Sequence, residues 1–179
     1  KGENIIGVAP GSNGTLLPQH IEAAAPLIQK ADVLLVQLEI PLDTVAAAIR
    51  LAQRHNVRVI LNPAPATDLA EAMLRGVILT PNETESARLT KIEEGSPDSL
   101  DQMLTHLIRC GGASVVMTLG KRGAVLATPT EKTTVSGFEV RAVDTTAAGD
   151  AFNGGLATAL ARGDDLESAA RYACAVAAI

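Results

Sequence analysis

Aromatic residues are almost absent from this 179-residue chain: there are two Phe (Phe138 and Phe152), one Tyr (Tyr172) and no Trp. That leaves no stacking platform for bases, and a net charge of −5 supplies no basic field for a phosphate backbone or an anionic lipid surface. Cysteine is equally scarce. Cys110 and Cys174 form neither a metal nor a redox spacing, so the chain reads as a cytoplasmic protein with reduced thiols rather than a disulfide scaffold. His20, His55 and His106 lie far apart on helical patterns and read as surface residues, not ligands. No apolar run reaches the length of a membrane span, and the start Lys1-Gly2-Glu3-Asn4 is neither a signal peptide nor an initiator methionine. The chain opens one step before a strand pattern and closes in mid-helix pattern at residues 172–179, with no glycine or proline stop. The expectation is a piece of a longer protein.

What is present is the composition of a folded domain: 47% hydrophobic and 20% charged residues. At this length one domain with a substantial core is expected. Short apolar runs read as strands at residues 4–9, 32–38, 57–61, 76–80, 114–119 and 124–127, with one or two more short strands within 131–142. The run 32–38 is continuous enough to predict a strand covered on both faces. Between the strands, helical spacing predicts helices over residues 18–30, from Pro41 to about 55, 68–74, 82–89 and from Pro97 to Gly111-Gly112, then about 149–162 and from Asp165 onward. Alternating strands and helices joined by short loops imply right-handed crossovers. The fold expected is α/β in three layers, a mostly parallel sheet with helices on both faces, in a single domain spanning 1–179.

One stretch organises the rest. Residues 143–155 run Val-Asp-Thr-Thr-Ala-Ala-Gly-Asp-Ala-Phe-Asn-Gly-Gly, a set of small residues followed by Asp150 and an alanine-rich helical pattern. Small side chains admit a visitor close to the backbone, and a helix starting there aims unpaired N–H groups and its positive dipole end at it. An anion cradle with a carboxylate beside it points to phosphoryl transfer. A tight helix start that needs small residues only for packing remains the alternative.

Ligands of parallel sheets bind beyond the carboxyl ends of the strands, so the loops there belong together. They are Gln37-Leu38-Glu39-Ile40-Pro41, Asn62-Pro63-Ala64-Pro65, Thr80-Pro81-Asn82-Glu83-Thr84-Glu85 and Thr118-Leu119-Gly120-Lys121-Arg122-Gly123, with the opening segment. Asn82 and Glu85, three apart at a helix start, form a capping box, or direct Glu85 through water at a magnesium ion, or both. Residues 120–123 read either as a hairpin turn or as backbone that touches a nucleotide; no Ser or Thr follows Lys121, so this is no Walker loop. Glu39, directly after an apolar strand, is placed to accept hydrogen bonds from sugar hydroxyls, or is a solvated loop acid.

Together the segments 35–41, 62–66, 80–85, 118–120 and 144–154 resemble the ribokinase family of sugar kinases, in the family's order and over almost all of the chain. The Ala147-Ala148 form of the last motif, where Gly is commoner at the first position, is similar to the ribokinase branch. The resemblance implies ATP-dependent phosphorylation of a pentose primary hydroxyl, D-ribose to D-ribose 5-phosphate, or of fructose, deoxyribose or a nucleoside in a sister kinase. It implies Asp150 as the base, the amides of Ala148, Gly149 and Asp150 as anion hole, and Glu39 with Asp150 on the sugar. For ATP it implies Asn82, Thr118, Leu119, Gly120, Lys121, Arg122 and Gly123, with Gly149 and Asp150. Cys174 stands where the family sets a residue, often His or Asn, against the nucleotide. It further implies Glu85 near Mg2+, and Asp144 with the Thr146 carbonyl around a monovalent cation, usually K+. The amino-terminal sugar-binding segments and the lid, through which such kinases dimerise, have no counterpart in these residues, and neither do the cation ligands after residue 179. The fragment alone is therefore expected to be inactive. A non-catalytic nucleotide- or sugar-sensing module on the same fold is the reading from a different class.

Overall fold

Alternation along the strands decides where two separate apolar layers form. The computed structural model describes Ala9, residues 11–140 and residues 145–179. Among these, strands β1 (Val33–Val36), β2 (Arg58–Leu61), β3 (Ile78–Leu79), β4 (Ser114–Thr118), β5 (Gly123–Ala127) and β6 (Lys132–Ser136) make one sheet in that order. β1 to β4 run parallel, and β5 and β6 continue the sheet antiparallel, so three of the five pairings are parallel. Val59, Leu61, Leu79, Val115, Met117 and Val125 point to one face. There they meet Val45 and Ile49 of α3 (Leu42–Arg54) and Met103, Leu104 and Leu107 of α6 (Ser99–Arg109). Ile60, Ile78, Val116, Leu126 and Val135 point to the other, against Phe152, Leu156 and Leu160 of α7 (Ala148–Ala161) and Ala169 and Ala173 of α8 (Leu166–Ala177). Parallel strands need crossover helices; α3 and α6 are such crossovers and lie on the first face, while α7 and α8, which follow β6, cover the second. The expected three-layer α/β fold is the one observed.

Helices α1 (Pro18–Ala23), α2 (Ala25–Ile28), α4 (Glu71–Leu74) and α5 (Glu83–Thr90) complete the set. The single helix expected over residues 18–30 is broken at Ala24 because Pro26 has no N–H and its ring crowds the preceding turn. The helix expected over 68–74 is only its last turn, α4. Of the one or two strands expected within 131–142, β6 is the one present among the described residues, as expected. The strand expected at 4–9 lies outside the described residues, apart from Ala9. β1 departs from expectation too: it lies at the end of the described sheet and Leu35 is 38% exposed rather than covered. Among the described residues no helix is long and apolar enough to cross a membrane.

Gly155 and Gly123 are among the glycines that hold close approaches. A Cβ on Gly155 of α7 would lie 3.0 Å from the Cα of Ala173, so the glycine lets α8 pack directly on α7. Gly123 has φ +95°, and a Cβ there would lie 2.1 Å from the Val135 carbonyl oxygen and 2.4 Å from the Gly137 nitrogen. Both the backbone angle and the space forbid a side chain. Gly123→Ala is expected to destabilise the fold by about 2–3 kcal/mol, read as a fall in the denaturation midpoint at unchanged slope.

Candidate active site

Strand register builds the floor of the site. Val36 pairs with Leu61, and Leu61 with Leu79, and all three face the α3–α6 layer. With period-two alternation the next residue of each strand, Gln37, Asn62 and Thr80, turns to the α7 side as a row. The backbone continues the row, with Asn62 N donating to the Val36 carbonyl at 2.9 Å and Thr80 N to the Leu61 carbonyl at 3.1 Å. Asn62 Nδ2 donates to the Thr80 carbonyl at 2.9 Å, and Thr80 Oγ1 to Asn153 Oδ1 at 2.6 Å. Asn153 Nδ2 donates to the Gly149 carbonyl at 2.9 Å. Gln37 Nε2 donates both to Asn62 Oδ1 at 3.0 Å and to Asp150 Oδ1 at 2.7 Å. Asn62, Thr80 and Asn153 are 7%, 2% and 3% exposed, and a network that far from water stays ordered only when each member is partnered. It ties three strand ends to the first turn of α7.

Above this floor opens a cleft of about 440 Å³ whose lining includes Leu35, Gln37, Glu39, Ile40, Asp150 and Asn153. Glu39 and Asp150, both expected on a sugar, therefore share one cavity. The exposed Leu35 is accounted for as part of its wall. Helix α7 begins after Ala147, a non-glycine residue at φ +60° in the left-handed region, which costs on the order of 1–2 kcal/mol. A glycine there would carry no such strain. The amide of Ala148, one of the three expected in the anion hole, donates to the Thr145 carbonyl at 3.2 Å. At Gly149 a Cβ would meet nothing within 4 Å, and its φ is not positive. Neither packing nor backbone demands glycine there, which weakens the packing-only reading of residues 143–155 at that position. Thr146 lies in the exposed approach to α7; Asp144 and Val143 lie outside the described residues.

A second group gathers one strand further along. Asn82 and Thr118 form an isolated parallel bridge, and Thr118 N donates to the Pro81 carbonyl at 2.9 Å. Gly120, Lys121 and Arg122 make a turn of 3-10 helix, with Leu119 buried before it and Gly123 opening β5. Arg122 pairs with Glu83 at the start of α5, fastening the turn to that helix. Asn82 and Glu85 form the reciprocal capping box: Glu85 N donates to Asn82 Oδ1 at 2.8 Å, and Asn82 N to Glu85 Oε2 at 2.9 Å. Burial pushes the Glu85 carboxyl above the usual range, against the pull of the Asn82 N–H. No group of three or more His, Cys, Asp or Glu among the described residues is placed to share a metal ion. Magnesium held by one carboxylate, water and phosphate oxygens needs no such group.

Cys174 lies in the apolar layer beneath α7 with Phe152 and Leu156, and burial raises its thiol above the ordinary value. His20, His55 and His106 are exposed, as expected. The sequence placed Gln37, Asn62 and Thr80 in loops facing one cleft and Asn153 in the motif at 144–154, but gave none of the four a role of its own. The signal was there: three apolar strands each end in an amide or hydroxyl, and Asn153 stands four residues after Gly149 on a helix otherwise apolar on that side.

The fold and cleft define an α/β protein with a polar site at the carboxyl ends of its parallel strands. Comparison narrows the class: the profile of the pfkB family carbohydrate kinases matches residues 1–179, and the chain belongs to that family. It is 39% identical over 178 residues to the ribokinase of Haemophilus influenzae (strain ATCC 51907 / DSM 11121 / KW20 / Rd), covering 99% of this chain and 58% of that protein. It is 35% identical over 178 residues to a deoxyribokinase of Salmonella typhi, covering 98% and 58%. The structure of Arabidopsis thaliana ribokinase complexed with ribose and ATP superimposes with a TM-score of 0.88 at 28% identity, over 99% of this chain and 58% of that one. The chain thus spans less than two thirds of the length of these relatives.

Proposed function

We propose that the protein to which this chain belongs transfers the γ-phosphoryl group of ATP to the primary hydroxyl of D-ribose, giving D-ribose 5-phosphate and ADP. The observation that carries this reading is the placement of Asp150. It stands in the first turn of α7, inside the cleft it shares with Glu39, beside a Gly149 whose outer side is open. Glu39 accepts hydrogen bonds from sugar hydroxyls and sets the ring. One oxygen of Asp150 is held by Gln37, and the other takes the hydroxyl proton as the new O–P bond forms. In such transfers the protein mainly positions the reactants and stabilises charge. The amides of Gly149 and Asp150, with the helix dipole behind them, face the moving phosphoryl group, while Asn82, Thr118 and the turn at 119–123 hold the nucleotide.

Glu85 is the residue that would hold Mg2+ through water, and Asp144 with Thr146 a monovalent cation such as K+; when bound, these ions would offset the phosphate charge. On this reading the chain is the ATP-binding and catalytic part, and the sugar-binding segments and a dimerising lid belong to the remaining length that its relatives have. The relatives named ribokinase and the solved complex with ribose and ATP support this choice of substrates. The deoxyribokinase relative supports a second reading, with 2-deoxyribose as acceptor.

The test is a coupled ADP assay of the complete protein with ATP, Mg2+ and ribose, 2-deoxyribose, fructose or no sugar, run beside thermal-shift titrations. ADP release that depends on ribose is expected. Thermal stabilisation by ATP and ribose without ADP release would replace the kinase reading with the sensing one.

A further inference from the structure

We propose that Gln37 is the positioning residue for Asp150: its side-chain amide fixes which carboxylate oxygen faces the acceptor hydroxyl. The inference rests on Asp150 acting as base in the reading above. The orientation of the Gln37 amide follows from the network. The Thr80 carbonyl can only accept, so the Asn62 group beside it is Nδ2, and Oδ1 of Asn62 faces Gln37. An acceptor there demands the Gln37 NH2. One of its two N–H bonds is committed to Asn62 at 3.0 Å, and the other reaches Asp150 Oδ1 at 2.7 Å. Asn62 is itself held by the strand ladder and is buried, so the donor offered to Asp150 is anchored in the sheet rather than carried on a mobile loop.

The second arm of the network secures the same turn. Thr80 Oγ1 donates to Asn153, and Asn153 donates to the Gly149 carbonyl, so sheet and helix are joined on either side of the Asp150 side chain. An aspartate in the first turn of a helix has several rotamers open to it, and the one observed sets Oδ1 against Gln37 Nε2 at 2.7 Å. A charge-assisted hydrogen bond selects that rotamer. Among the described residues around the cleft, Gln37 is the one seen to donate to this carboxylate, and neither composition nor motif spacing had given it a role.

The experiment uses the complete protein in the ADP assay with Gln37→Met, of similar length without a donor, and Gln37→Glu, of equal length with an acceptor in its place. Gln37→Met is expected to lower kcat roughly ten- to a hundredfold, the worth of one hydrogen bond to a charged group, with KM for ATP within about twofold because Asn82 and Thr118 lie elsewhere. Gln37→Glu is expected to lose more, whereas a group that only fills space would tolerate it as well as Met. Melting temperatures check that both variants fold, and if Gln37→Met does not, kcat and KM of Gln37→Glu decide. A kcat within twofold of wild type in the folded variant, while Asp150→Asn is inactive, overturns the positioning role and leaves the kinase reading standing. A loss that appears in KM for ATP or in stability and not in kcat overturns it as well. Absence of sugar-dependent ADP release from the wild-type protein overturns the kinase reading and this inference with it.

Discussion

Asp150→Asn in the complete protein should cut sugar-dependent ADP formation by about 10²- to 10⁴-fold, the usual worth of a positioned general base. Asparagine is the informative replacement because it keeps the shape and still offers Oδ1 as an acceptor to Gln37, whose Nε2 lies 2.7 Å from that oxygen. The network through Asn62, Thr80 and Asn153 has no reason to change, and the melting temperature should stay within a few degrees. What is lost is the second oxygen as a proton acceptor. ATP binding should persist within a few-fold, since Asn82, Thr118 and the turn at 120–122 form a separate group, joined by their own bridge and by the Arg122–Glu83 pair. Titration of ATP by calorimetry, beside the ADP assay, reads the two effects apart. Turnover within a few-fold of wild type would remove Asp150 from the role of base.

The fold was legible because burial writes itself into single segments. Val59, Ile60 and Leu61 are apolar in succession because helices lie on both sides, and Leu104 and Leu107 sit three apart because α6 turns one stripe inward. Misreadings came where a local rule met a stronger one. Pro26 cut an otherwise periodic helix, and the run 32–38, apolar like a central strand, carries Leu35 on a cleft wall instead. In the site, Asn82 and Glu85 could be paired from spacing alone because a capping box is local. The donor to Asp150 could not, because Gln37 stands 113 residues away and meets it only through the register that aligns β1, β2 and β3.

Gly149→Ala separates the two readings of the α7 start with opposite signs in two measurements. A Cβ at Gly149 would meet no atom within 4 Å, and the residue is already helical, so the folded protein loses no contact. Alanine is favoured over glycine within helices by up to about 1 kcal/mol, less in the first turn, and the melting temperature should therefore hold or rise. Gly154, equally open and further along the same helix, is the internal reference, and Gly154→Ala should show the propensity gain by itself. Openness alone does not mark a ligand site, as Gly154 shows; position does. The added methyl group at 149 would stand beside Asp150, over the N–H groups at the positive end of the helix dipole, where an anion must come within about 3 Å to be bound. If the phosphoryl group sits there, displacing it from one such donor should cost roughly 10²–10³ in kcat in the complete protein. A stable, inactive Gly149→Ala variant is what an anion cradle requires. A melting temperature lowered by many degrees would instead restore packing as the reason for the small residues, and full activity would place the moving phosphoryl group elsewhere in the cleft.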